Sequence, residues 1–347
     1  MGAFVLAGKR IRWVAGAIGV LLCWAPPAVA RISVTPRFSG YFDNSVQRQS
    51  SAEAIGDRGA TDRLDDIGQT LRALFGNGAG ISIGDTRLIS GGNQTFFAMG
   101  GASVTVPVDD RTQLTLTGLY GSTHGDVRVL STSTQRLTVA GVTAQDLLVS
   151  STQGRIRLRR LDVELSAQRR LTENFSLTGG ARIERVREHL VAGGEFEATQ
   201  NGANLIRALS GDPALDPGLS VSRFAATSRG TTTVYSLRGG GAAFAPIGGG
   251  HSFYVNGMLH VSRLPVQART LKLTFVESGD QVEAQTKAPG EWSAGPDMAV
   301  GYSLRLNDRL GLDARYRGVF YFPLSGARTI SDPRVNHGFN LGVSVAL

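Results

Sequence analysis

The sequence predicts an all-β fold: one antiparallel sheet of about ten strands, closed into a barrel that crosses a membrane. Three observations carry this. Beyond residue 30, segment after segment alternates polar and apolar residues with period two, the spacing that sends successive side chains to opposite faces of a strand. No apolar run in that region approaches the roughly 18–20 residues of a spanning helix. The connections alternate between short and long, so one end of the sheet carries tight turns and the other carries excursions. Composition agrees. Of 347 residues 41% are hydrophobic and 18% charged, too few charges for a disordered chain. Gly is abundant, at 45, but has no triplet period.

The first thirty residues form an address. Lys9, Arg10 and Arg12 make a positive start, residues 13–25 are apolar, and Ala28 and Ala30 place small residues where a signal peptidase cuts. The run is too short for a membrane anchor. Losing this leader with its three basic residues lowers the formal net charge from +8 to +5. A modest charge of mixed sign on an exported chain argues against a nucleic-acid partner. The single Cys, Cys23, lies in the leader, so residues 31–347, read as one domain, have no disulfide and no Cys-ligated metal.

Ten strands are read at 31–42, 95–107, 112–122, 156–168, 175–188, 232–245, 252–263, 292–306, 310–322 and 335–347. The last sets Phe339, Leu341, Val343, Val345 and Leu347 against Gly338, Asn340, Gly342, Ser344 and Ala346. The ninth sets Leu310, Leu312, Ala314, Tyr316 and Phe320 against Gly311, Asp313, Arg315 and Arg317. One face suits lipid and the other a polar interior. Short turns join the strands around 108–111, 169–174, 246–251 and 307–309. The long connections are 43–94, 123–155, 189–231, 264–291 and 323–334. Eight or twelve strands stay open, because 126–134 and 136–144 read equally as a further hairpin. Pro36 and Pro296 each remove a ladder donor and mark a bulge or strand end. Phe38, Tyr41, Phe42, Tyr120, Trp292, Tyr316, Phe320 and Phe322 are candidates for interfacial girdles.

With leader, alternation and connection pattern together, the chain resembles bacterial outer-membrane β-barrel proteins as a class. The resemblance implies residence in the outer membrane, short periplasmic turns and long extracellular loops. It also implies contact with outer-membrane lipid and lipopolysaccharide, and delivery to the barrel assembly machinery through strand 335–347. The chain departs from the class in ending on Leu347 rather than an aromatic residue.

In the long connections, Thr61 caps an expected helix over 62–75, with Leu64, Ile67, Leu71 and Leu74 at helical spacing and Asp62, Asp65 and Asp66 near its start. Residues 197–229 read as a mobile polar loop. Residues 269–275 and 281–287 read as a hairpin extending beyond the membrane.

Pairing the strands by their apolar faces puts Arg238 opposite His260, Ser303 opposite Asp313, Gly301 opposite Arg315 and Ala299 opposite Arg317. It also brings Arg160, Asp162 and Glu164 near Arg182 and Glu184. An Arg/Asp/Glu network is therefore expected inside. Two readings follow. One is a narrow porin-like channel with a charged lining for ions or small solutes. The other is a filled, non-conducting barrel whose long loops serve surface binding or structure. A hydrolase at the barrel mouth is the third. Outer-membrane proteases of the omptin type use Asp and His there, but beyond His124 and Asp126 no matching set is present. No nucleophile elbow, zinc helix or P-loop occurs, so neither an enzyme activity nor a cofactor or metal is expected.

Overall fold

The computed structural model describes residues 32–43, 69, 73, 80–91, 95–139, 142–210, 220–265, 267–288, 290–325 and 334–347. The leader, with Ala28 and Ala30, lies outside them. So does the expected helix over 62–75, except for Gln69 and Ala73, which are helical.

Among the described residues fourteen strands form one antiparallel sheet. They are β1 (Ser33–Asp43), β2 (Gly80–Gly91), β3 (Thr95–Pro107), β4 (Thr112–Val139), β5 (Val142–Gln145), β6 (Leu148–Arg170) and β7 (Phe175–Ala198). Then follow β8 (Ser220–Gly248), β9 (His251–Leu264), β10 (Gln267–Phe275), β11 (Gln281–Ala288), β12 (Glu291–Arg305), β13 (Leu310–Ser325) and β14 (Arg334–Ala346). Pairing runs β14–β1–β3–β4–β6–β7–β8–β9–β12–β13, and β13 returns to β14. These ten strands make a closed ring and correspond one for one to the ten expected from alternation. Closure leaves no ladder edge facing lipid, where an unpaired backbone group would cost several kcal/mol.

The outward face is apolar. Leu161, Leu165, Leu177, Ile183, Leu237, Val255, Leu259, Val261, Met298, Val300, Leu341 and Val343 all stand exposed around the ring, Leu259 at 71%. In water so continuous an apolar belt would be a liability; in a bilayer it is the required surface. Phe38, Phe42, Tyr120, Trp292, Tyr316 and Phe322 are exposed with it. Tyr41 is not a girdle residue. Its parity along β1 carries it inward, where it is buried and donates to Asn340 Oδ1 at 2.9 Å.

The short connections are built by side chains that accept from the backbone. Asp109 Oδ1 accepts from the amides of Arg111 and Thr112 at 2.7 and 2.6 Å. Asn307 Oδ1 does the same for Arg309 and Leu310. The β8–β9 turn uses Gly248, Gly249 and Gly250, all at positive φ, a conformation that L side chains rarely adopt. Pro36 and Pro296 behave alike. Neither makes a bulge; each leaves a gap in one of its two ladders, toward β14 and β13 respectively, while the register on both sides of the gap is unchanged.

The barrel is lopsided. β4, β6, β7 and β8 run 28, 23, 24 and 29 residues, against 11–16 for the other ring strands. A tilted membrane strand needs about 9–11 residues, so one wall continues past the bilayer as a paired sheet. The expected loops at 123–155 and 189–231 are largely this sheet. The possible extra hairpin at 126–144 is the far end of β4 with β5. The 269–287 hairpin is present as β10–β11, added to the free edge of β8. The polar stretch 197–229 is a correction: it contains helix α1 (Gln200–Ser210) and the start of β8. Thr199 Oγ1 accepts from the Gly202 amide to cap α1. A Cβ on Gly202 would meet the Leu147 carbonyl at 2.2 Å, so only glycine allows the helix so close.

Mature protein folded in detergent should run faster on a gel unboiled than boiled, as a closed barrel does; identical mobility would exclude closure. At the tip of the projecting wall, Glu277 accepts from the Arg223 side chain and amide, which holds its carboxyl down from 4.5 to about 2. A depressed carboxylate contributes above its unfolded value and loses that contribution as it is protonated. Exchange protection of the Val276 amide, bonded to the Arg223 carbonyl, should therefore hold down to about pH 4.5 and fall as pH approaches 2. In Glu277→Gln it should be reduced already at neutral pH.

Candidate functional site: the charged interior

The inward face of the ring is polar, and its charges are paired. The ten lumen candidates lie on the face of the ring opposite the apolar belt. Arg160, Asp162, Arg182, Glu184, Arg238, His260 and Arg317 are buried, and Glu164, Asp313 and Arg315 are partly covered. The expected cross-strand partners are those observed: Arg238 with His260, Ser303 with Asp313, Gly301 with Arg315 and Ala299 with Arg317; Glu164 and Asp162, expected near Arg182 and Glu184, lie directly opposite them.

The pairs form two linked layers. In the upper layer Arg182 clamps Asp162 with two bonds, Nε to Oδ1 at 2.8 Å and Nη2 to Oδ2 at 2.5 Å. Arg160 donates to Glu184 Oε2 at 3.0 Å and reaches Asp43 at 3.4 Å. Its guanidinium sits 5.4 and 5.6 Å from the Tyr41 and Phe97 ring centres. Arg334 donates to Glu184 Oε1 at 2.8 Å and lies over the Tyr321 ring. In the lower layer Arg317 clamps Asp297 in the same two-bond geometry, at 2.8 and 2.5 Å. Arg238 pairs with both Glu164 and Asp297. His260 donates from Nε2 to the Phe320 carbonyl and pairs through Nδ1 with the Ser262 hydroxyl, with its ring edge-on to Tyr321. Nearer the short turns, Asp313 takes Arg37 at 3.2 Å and the Tyr254 hydroxyl at 2.7 Å.

Two of these pairs span the barrel. β6 and β13 stand five places apart in the ring of ten, counted either way, and so do β7 and β14. They are opposite walls. Arg317 on β13 nonetheless reaches Glu164 on β6 at 3.3 Å, and Arg334 on β14 reaches Glu184 on β7 at 2.8 Å. Direct contact across the diameter obstructs the bore at those levels. A barrel of about eight strands is filled by ordinary side chains; here the two extra strands are filled by the longest ones.

Above the upper layer the lining becomes apolar. Phe97, Met99, Leu119, Ile156, Leu158, Val186, Leu190, Phe196, Phe224, Leu271, Leu273 and Phe275 are buried along the inner face of the mouth and of the projecting wall. Glu188 and Arg269, paired at 2.8 Å, are set among them.

Several members of this site were not expected from the sequence: Arg37, Asp43, Glu188, Asp297, Arg334 and Tyr321. The signal for two was present. Asp43 continues the inward parity of Arg37, Ser39 and Tyr41, one residue past the expected strand end. Arg334 continues that of Asn336 and Gly338, one residue before the expected start. His124 lies elsewhere, exposed on the outer face of β4 opposite Arg157, and Asp126 is turned to Arg155 at 3.9 Å. Among the described residues no group of three His, Cys, Asp or Glu side chains is placed to hold a metal ion.

Removing one member of a buried ion network strands its partner's charge, at about 3–5 kcal/mol, whereas replacing the whole set with apolar groups is often neutral. Arg317→Met should therefore lower the temperature at which the unboiled form converts to the slow-running form. Arg317→Met combined with Asp297→Leu should recover part of that loss. A double variant no better than the single would show that the two do not act as a pair.

No family model matches the chain, and no curated protein matches it. Among solved structures it is similar to the outer-membrane protease OmpT from Escherichia coli, with 9% identity, a TM-score of 0.41, and coverage of 92% of this chain and 96% of that one. It is also similar to the translocator domain of the autotransporter NalP from Neisseria meningitidis, with 9% identity, a TM-score of 0.34, and coverage of 99% and 98%. A third is the β domain of the Bordetella autotransporter BrkA, with 11% identity, a TM-score of 0.31, and coverage of 92% and 100%. Likeness at this level carries no weight for function; the closed ring and the ion pairs across it stand on this chain's own pairing.

Proposed function

We propose that this chain is an outer-membrane barrel closed to passive diffusion, a rigid stem that holds a surface-binding sheet above the membrane. The observation that carries the reading is the pair of ion contacts across the diameter, Arg317 to Glu164 and Arg334 to Glu184. A pore for ions needs water-lined charges that are not fully neutralised by one another. Here the midsection charges are desolvated and matched: Arg160 has 0% exposure, and each carboxylate of the two layers has at least one guanidinium. Such a lining supports the filled barrel over the narrow porin-like channel.

The placement of the wall supports the second half of the reading. β4, β6, β7 and β8 extend together, are widened by β10 and β11, and carry α1 near their outer end. Paired backbone makes this wall stiffer than a loop of equal length, and stiff surfaces bind at lower entropic cost.

Planar-bilayer recording tests the stem. Wild-type protein should show no stable conductance steps. Replacing both spanning arginines, Arg317→Ala with Arg334→Ala, should introduce them, provided the heat shift on gels persists. Steady ohmic steps from the wild-type protein would overturn the closed reading and restore the channel.

A further inference from the structure

The projecting wall has an outer face as well as an inner one, and where it leaves the bilayer that face is densely cationic. On β6 the outward residues above Leu161 are Arg159, Arg157 and Arg155. On β7 those above Ile183 are Arg185, Arg187 and His189. On β8 those above Tyr235 include Arg229. Register stacks them in adjacent rows. Arg185 lies opposite Leu161 and Thr233; Arg187 lies opposite Arg159 and Thr231; His189 lies opposite Arg157 and Arg229. Strands are about 4.8 Å apart and alternate residues about 6.7 Å apart along a strand, so five guanidinium groups share a patch on the order of 10 by 13 Å.

Two features set this patch apart from an ordinary solvated face. The first is that no described carboxylate neutralises its charges. Arg155 has Asp126 and Lys272 has Glu283, but among the described residues Arg157, Arg159, Arg185, Arg187 and Arg229 have no ion pair. Arg159 and Arg187 are direct cross-strand neighbours, an arrangement that destabilises a sheet unless an anion lies between them. The second is continuity. The residues directly beneath the patch are the lipid belt itself, Leu161, Ile183, Tyr235 and Leu237, all exposed. An occupant of the patch is therefore within one row of the acyl chains.

We infer that Arg157, Arg159, Arg185, Arg187 and Arg229 form a binding site for the phosphate groups of a phosphorylated lipid headgroup in the outer leaflet. Such a ligand meets both requirements at once: its chains lie along the belt while its phosphates sit between the arginines. The planar fork of arginine suits phosphate oxygens, which it binds in pairs. A soluble acidic partner would satisfy the charge but not the belt. The site rests on the outer-membrane reading and adds to it the lipid class and the residues that grip it.

The test uses the mature protein in phosphatidylcholine vesicles, with lipopolysaccharide or its dephosphorylated form titrated in. Binding is read as the rise in the temperature at which the heat shift on gels is lost. Lipopolysaccharide should stabilise the protein, and the dephosphorylated lipid and free inorganic phosphate should do so far less. The variant Arg157→Gln, Arg159→Gln, Arg185→Gln, Arg187→Gln should bind at least about tenfold more weakly, since each lost charged bond is worth more than a tenfold step. Arg111→Gln with Arg169→Gln, at the opposite end of the barrel, should bind as wild type. Equal affinity of the fourfold variant, or equal stabilisation by the dephosphorylated lipid, overturns the site while leaving the barrel standing. Protection by soluble polyglutamate equal to that by lipopolysaccharide would assign the patch to an acidic protein instead. Absence of any heat shift in phosphatidylcholine alone would overturn the outer-membrane reading, and the site with it.

Discussion

The interior of this barrel depends on one constraint: charges taken out of water must find each other. Lipid surrounds the ring, so every strand must pair on both sides, and ring closure at ten strands fixes a bore wider than small side chains fill. The chain meets that width with arginines and carboxylates rather than with large apolar groups. Each is costly to desolvate alone, by several kcal/mol, so the set holds only as a whole. Arg238 illustrates this. It serves Glu164 and Asp297, Asp297 is shared with Arg317, and Arg317 returns to Glu164. No member leaves without exposing two others.

The same network ties together what closure alone does not. Ladder bonds join each strand only to its neighbours, and a ring of them can flatten. Arg317–Glu164 and Arg334–Glu184 brace opposite walls, and Arg37–Asp313 with Tyr254–Asp313 brace the end near the short turns. The brace lies directly beneath the wall that projects from β4, β6, β7 and β8. Arg160 and Glu184 sit on two of those strands, so the sheet that rises above the bilayer is anchored where it emerges.

Much of this was legible in the sequence, and the boundary of what was legible is physical. Within the bilayer, lipid on one side and a polar bore on the other impose strict alternation, so strands and register follow from the residue pattern alone; Arg238 opposite His260 is an example. Past the bilayer neither face is bound to lipid. β4 beyond residue 122 and β8 before residue 232 are rich in Ser, Thr, Gly and Arg, and read as loop although the backbone stays paired. α1 was hidden for a similar reason: Gly202 in its first turn lowers helix propensity, and only the close approach to Leu147 explains its presence. The spanning pairs were out of reach because they join strands that never share a ladder. Register relates β13 to β12 and β14, and says nothing of β6.

Arg159 and Arg160 show how much rests on parity. They are consecutive and of one type, yet Arg160 is sealed between Tyr41 and Phe97 with Glu184 as its partner, while Arg159 faces outward beside Arg187 with no ion pair among the described residues. A slip of one residue in β6 would exchange them. It would put Leu161 inside the charged bore, send Asp162 into the lipid belt and leave Glu184 without Arg160. The cost of that exchange on both faces pins the strand. The polar bore and the apolar belt thus fix the register jointly, and the cationic rows above the belt inherit their positions from it. The outer arginines need no partner in the fold to be placed; they are held where they are by the inner ones.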